Sequence, residues 1–293
     1  MIGGSASART AVRAALSVRH RLGIDRSAPV CVFDLAERLG VEVKFRDEKS
    51  LDGMYFKLGP PVILVSAHRP PGRQAFTCAH EIGHHELGHG TRVDRYVSDS
   101  HYDHDCDEQT ANVFAANLLM PAAAVRRAFE SRGWSASQCD PLQVYTVAAY
   151  LGVGYETLIT QMRASLGLLA ERRAKVLLKT TPKQVRRSVV GDDRCRYLVV
   201  ADRAWDGGAI AIDVSTTDLI VLPTSVELEG TSIQIDSEIA LGTLAVARRP
   251  GITRVQTTDG DWSVFVRVSR RTNDQCTYVG RSVFRHDEDP DVE

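Results

Sequence analysis

The stretch AHEIGHHELGHG, residues 79–90, holds four histidines and two glutamates, and it limits the possible folds more than any other feature of the chain. His80 and His84 are four apart. On a helix of about 3.6 residues per turn they lie about 40° from alignment and roughly 6 Å apart along the axis, so both imidazoles reach one point on one face. A tetrahedral zinc ion with bonds of about 2.0–2.1 Å can be held that way. Glu81 follows the first imidazole but is rotated to the side, where its carboxylate can reach a water without occupying a coordination position. An amphipathic surface helix can carry the same spacing, so context has to decide. A strand precedes this helix, and six of the nine histidines fall between positions 80 and 104. His85, about 100° round from His84, and His89, past the expected helix end, suit packing or helix-terminal capping.

Such a site needs a third protein ligand and a fourth position for water. The long metzincin pattern wants glycine at position 87 and histidine at position 90; Leu87 and Gly90 exclude that class. Glu108, opening the helical stretch DEQTANVFAANLLMP, is the best candidate. Helical spacing puts Glu108, Ala111, Asn112 and Ala115 on one face, where small residues facing Gly83 let two helices approach closely. His101, His104 and Cys106 are the alternatives, reached if the intervening loop folds back. Imidazole and carboxylate together suit Zn2+, and Mn2+ or Fe2+ bind similar sets.

Helices are expected over 7–22, 32–39, 74–87, 107–119 and 122–133, with a loop over 88–106. Short strands are expected at 41–45, 53–58 and 61–66. Residues 141–169 give two helices around the turn LGVG, shaped like a helix-turn-helix. Near residue 180 the pattern changes to short β-branched runs, among them RYLVVAD, GAIAIDV, DLIVLP, TSIQID and TLAVARR. Asp259-Gly260 supplies the positive φ of a hairpin turn, after which Val264, Val266 and Val268 alternate with Phe265, Arg267 and Ser269. The expected layout is a domain over 1–178, a mainly-β domain over 179–285 and a disordered acidic tail over 286–293, with five acids in eight residues. The segment RAWDGG (203–208) and Trp262 are read as core and turn.

A net charge of -1 gives no support for non-specific nucleic-acid binding. No apolar run approaches the roughly 20 residues that span a bilayer, and the first residues lack a signal-peptide pattern. Six cysteines without a C-x-x-C pair indicate neither a disulfide framework nor a zinc ribbon. The expected compartment is the cytoplasm, with reduced thiols.

DGMYFKLGPPVILVSAHRPPGRQAFTCAHEIGHHELGH followed by EQTANVFAANLLMP resembles the ImmA/IrrE family of bacterial and phage zinc metallopeptidases, over about residues 28–169. The resemblance implies an α+β fold with a zincin-like, minimal thermolysin-like core. It implies metal ligation by His80, His84 and Glu108, and Glu81 as the catalytic acid/base. It also implies a narrow endopeptidase that cuts a helix-turn-helix transcriptional repressor, or acts on an antitoxin-like regulator, to induce stress or mobile-element genes. The two-domain layout is similar to that of IrrE. An extended substrate would pair with an edge strand, for which GMYFKL is the candidate, and Tyr55 or Tyr102 could steady the oxyanion. The rival reading is a DNA-binding regulator or toxin–antitoxin component. The would-be recognition helix offers only Arg163 as a strong contact, beside Thr157 and Gln161, so direct DNA binding is not expected.

Overall fold

The computed structural model describes residues 3–57, 59–90, 92–95, 106–192, 196–205, 211–270 and 279–280. Tyr102, His101, His104, Cys195, Cys276 and the acidic tail lie outside the described residues. The chain forms two compact units, one made of 1–26, 30–121 and 272–293, the other of 27–29 and 122–271.

The first unit runs α1 (Gly3–Arg21), α2 (Val32–Arg38), β1 (Glu42–Arg46), β2 (Leu51–Phe56), β3 (Val62–Ser66), α3 (Pro71–Leu87), β4 (Arg92–Arg95) and α4 (Cys106–Leu119). The sheet order is β1-β3-β2-β4, with a two-residue strand, Val279–Gly280, outside β1. β1 and β3 run parallel; β2 is antiparallel to both β3 and β4. In β1 only Val43 and Phe45 are buried, as alternation dictates, whereas the near-continuous apolar β3 sits mid-sheet. β4 lies inside the segment expected to be a loop. It covers the outer side of β2, so GMYFKL is not an edge strand, and that expected role for it is corrected.

Both helices that matter are anchored at an end. Asp52 on β2 is buried and accepts from Arg69 Nε at 2.6 Å and Arg73 Nη2 at 2.7 Å, which fixes the start of α3 against the sheet. Pro70 and Pro71 open that helix, where a missing N–H matters least. Gly88, at φ 73°, closes it and sends its N–H to the His84 carbonyl. Arg19 on α1 is fully buried; it donates to the Leu118 carbonyl at 2.7 Å and the Asp25 carbonyl at 2.6 Å. Its guanidinium therefore sits at the negative end of the α4 dipole. Burial lowers its pKa to about 10, with Asp25 opposing that shift.

The second unit contains α5 (Ala122–Glu130), α6 (Pro141–Tyr150), α7 (Tyr155–Thr160), a π-helical turn (Gln161–Ser165), α8 (Glu171–Leu177) and α9 (Pro182–Val190). Among the described residues eight strands follow: β5 (Leu198–Val200), β6 (Ile212–Ser215), β7 (Leu219–Leu222), β8 (Val226–Glu229), β9 (Ile233–Ile239), β10 (Gly242–Ala247), β11 (Gly251–Thr257) and β12 (Ser263–Ser269). They make two four-stranded sheets, β5-β7-β10-β9 and β6-β12-β11-β8. The β11–β12 hairpin turns at Gly260, φ 76°, with Val264, Val266 and Val268 buried as expected. The mixed α and β content and the strand-rich C-terminal region agree with the expected class.

The division falls at Pro121–Ala122 rather than near residue 180, because helices α5–α9 pack with the strands. Tyr145 donates to the Leu198 carbonyl at 2.8 Å, and Arg132 grips Asp202 through two bonds of 2.7 and 2.9 Å. Tyr145, Val189 and Val190 also pack on the core of Leu198, Val200, Leu219, Val221 and Leu244. Trp205 and Trp262 are buried, as their core reading requires. Among the described residues no helix is long and apolar enough to cross a membrane.

Replacing Arg19 with alanine removes the end-cap of α4 and leaves two carbonyls without this donor. Arg19→Ala should lower the unfolding free energy by about 2–4 kcal/mol, read from urea denaturation. A variant as stable as the parent would contradict this anchoring role.

Candidate metal centre

His80, Glu81 and His84 all lie on the buried side of α3. His80 Nε2 and His84 Nε2 are 2.9 Å apart. From α4, Glu108 places Oε2 3.1 Å from His80 Nε2 and Oε1 3.4 Å from His84 Nε2. One potential ligand atom from each residue lies within 4.8 Å of the others, so the three form a buried group that could hold a metal ion. A tetrahedral ion with bonds of about 2.0–2.1 Å requires ligand atoms about 3.3–3.4 Å apart. The observed separations are close to that, and two imidazoles with one carboxylate are donors of the right chemistry. The residues present fit the ion.

The close approach of the two helices is made by small residues. A Cβ on Gly83 would lie 3.1 Å from the Phe114 ring, 3.2 Å from Ala111 Cα and 3.3 Å from the Ala111 carbonyl oxygen. Burial alone would raise the Glu108 pKa; hydrogen bonds and the positive character of His80 and His84 outweigh it and hold the carboxyl well below the usual carboxylate range. Glu108 is therefore ionised, as a metal ligand has to be.

Glu81 is fully buried beside this group. Its carboxylate faces β2 at Gly53, where an added Cβ would stand 2.4 Å from Glu81 Oε1 and 2.4 Å from Thr77 Cγ2. No positive φ is involved there. Glycine is required at position 53 for space alone, and the space is filled by the acid of the HEIGH turn.

The imidazoles of His80 and His84 have partners on their far sides. His80 Nδ1 is 3.1 Å from Asn112 Oδ1, one helical turn beyond Glu108 on α4. His84 Nδ1 is 3.0 Å from His89 Nδ1, and His89 Nε2 is 3.6 Å from Asp107 Oδ1. Packing or capping for His89 therefore understates its position. The left-handed turn at Gly88 folds it back over the last turn of α3, with its N–H on the His84 carbonyl at 3.0 Å. A histidine directly after a glycine helix stop is the signal that could have found it. For Asn112 the signal was its i+4 spacing from Glu108.

Tyr55 is buried, and its hydroxyl is 2.8 Å from His85 Nδ1. Burial raises the Tyr55 pKa and lowers that of His85. Cys106 is exposed, with Sγ near Ser7 Oγ at 3.7 Å, and it does not join the group.

Residues 36–162 match the profile of a peptidase family, described as the IrrE N-terminal-like domain. This span agrees with the resemblance to the ImmA/IrrE family drawn from the sequence. The family match encloses every residue of the group, from Gly53 to Asn112. No curated protein matches the sequence. A solved Mycobacterium tuberculosis transcriptional regulator is similar at 17% identity and a TM-score of 0.34, over 53% of this chain and 46% of that one. This chain thus spans less than half the length of that regulator.

Gly83 supplies a test of the helix approach. Replacing an interior helical glycine normally favours the helix, so a loss here has to come from crowding against Ala111 and Phe114. Gly83→Val should weaken Zn2+ binding at least about tenfold in a chelator competition. A valine variant that binds as tightly as the parent would contradict the account.

Proposed function

We propose that this chain is a zinc-dependent endopeptidase of narrow specificity. The observation that supports the reading most is the buried Glu81 carboxylate, lodged against Gly53 and adjacent in sequence to the His80–His84–Glu108 group. In this reading His80, His84 and Glu108 hold the metal, and the sheet, α3 and α4 form a zincin-like core. A divalent cation bound there supplies Lewis acidity, polarising the scissile carbonyl and acidifying water beside it.

The chain's own residues do the rest. Glu81 accepts a proton from the attacking water as the new C–O bond forms. It then returns that proton to the amide nitrogen as the C–N bond breaks. Enclosure by β2 keeps the carboxylate in one place during both transfers, and Gly53 leaves room for it. The match to a peptidase family favours a protein substrate, and we assign a helix-turn-helix repressor or antitoxin-like regulator in the cytoplasm. A DNA-binding role for α6 and α7 draws no support, since Arg163, its strongest candidate contact, is paired with Glu171 at 2.9 Å.

The test is cleavage of a helix-turn-helix protein encoded beside this one, followed by intact mass with and without a chelator. Glu81→Gln should retain Zn2+ yet cleave about 10²–10⁴-fold more slowly. Unchanged cleavage by Glu81→Gln would refute the base assignment. Gly53→Ala should likewise keep the metal and lose at least about tenfold in rate, because its Cβ displaces the same carboxylate.

A further inference from the structure

Residues 171–190 hold seven lysines and arginines and a single acid, Glu171. That is a local charge of +6 in a chain whose total is -1, so the rest of the chain carries -7. The whole-chain balance conceals this segregation. Cations recur every three or four residues, at Arg172, Lys175, Lys179, Lys183 and Arg187, through α8, the link over 178–181 and α9. All five are exposed.

The other side of these helices is apolar, with Ala174, Leu177 and Val185 buried. Arg173 also turns inward and donates to the Cys139 carbonyl at 2.6 Å. Arg163, on the π-helical turn, and Lys175 flank Glu171 at 2.9 and 3.5 Å, so two cations share that one acid. Arg172 and Lys179 have no ion-pair partner among the described residues. Like charges three and four apart on a helix are neighbours and repel. Lys183 stands in the first turn of α9, where the helix dipole disfavours a cation and no acid offsets it. A surface built at this cost is relieved by an opposing line of negative charge.

The composition of the face selects the kind of polyanion. Between Tyr155 and Tyr197 there is no aromatic residue, so nothing here can stack on an unpaired base or anchor at a membrane interface. Two exposed aliphatic side chains, Val176 and Leu178, are too little for insertion into a bilayer. Flexible point charges at regular spacing suit an evenly charged backbone instead. We infer that the α8–α9 face is a sequence-independent docking surface for the phosphate backbone of duplex DNA. This is backbone contact, distinct from base reading by α6 and α7. It needs neither a bound metal nor catalysis, so it stands apart from the reading above.

The test is fluorescence anisotropy of the full chain with a labelled duplex of about 20 base pairs, followed through a salt titration. Four to six phosphate contacts predict a slope of log K against log salt of about -3.6 to -5.4. Affinity should then fall about 10²–10³-fold between about 50 and 200 mM salt. Two duplexes of unrelated sequence should bind within about threefold of each other. The triple variant Lys179→Gln, Lys183→Gln, Arg187→Gln should bind at least about tenfold more weakly at the lower salt, with a slope shallower by about 2–3. Glu171→Gln removes the acid that Arg163 and Lys175 share, and should bind about two- to fivefold more tightly. No binding at the lower salt, a triple variant with the parent's affinity and slope, or a Glu171→Gln variant no tighter than the parent would overturn the proposal. So would tighter binding to single-stranded RNA, polyglutamate or phosphatidylserine vesicles than to the duplex. Should circular dichroism show the triple variant unfolded, Glu171→Gln and the three rival ligands decide alone.

Discussion

Two imidazole nitrogens on one helix and the two oxygens of a carboxylate on another meet inside a protein core, with the nitrogens 2.9 Å apart, one oxygen 3.1 Å from the first and the other 3.4 Å from the second. Two imidazole nitrogens and an ionised carboxylate gathered in this way make a buried donor set that could hold a cation. The first unit is arranged around that group. α3 and α4 touch where Gly83 meets Ala111, and a larger side chain at either position would separate Glu108 from the histidines.

The ends of those helices are held with matching care. The sheet grips the start of α3 through Asp52 and its two arginines, and a left-handed glycine closes its far end. The α4 terminus rests on Arg19, a buried cation that exchanges its hydration for two backbone carbonyls. Fixing both helices limits the motion of groups that have to stay within a few tenths of an ångström to act together. Glu81 profits from the same rigidity through its seat against Gly53.

Much of this was legible in the sequence because helical periodicity is local. His80, Glu81, His84 and Glu108 follow from spacing on two helices, and the small face of α4 announced a close approach. What was not legible depends on chain reversal and on long-range pairing. β4 pairs with β2 across α3, which no local pattern in residues 88–106 signals. His89 acquires its partner only because Gly88 turns the chain back. The Tyr55 hydroxyl meets His85 only through the packing of β2 on α3. The unit boundary was misplaced for a similar reason: composition shifts near residue 180, but Tyr145 and Arg132 bind the preceding helices to the strands.

The central claim is that a cation is held by His80, His84 and Glu108 together. X-ray absorption at the zinc edge of the loaded protein tests it most directly. The account predicts two imidazole nitrogens at about 2.0–2.1 Å and a carboxylate oxygen at about 2.0–2.2 Å, with no sulfur. A thiolate at about 2.3 Å, or a shell of light atoms without imidazole scattering, would contradict it.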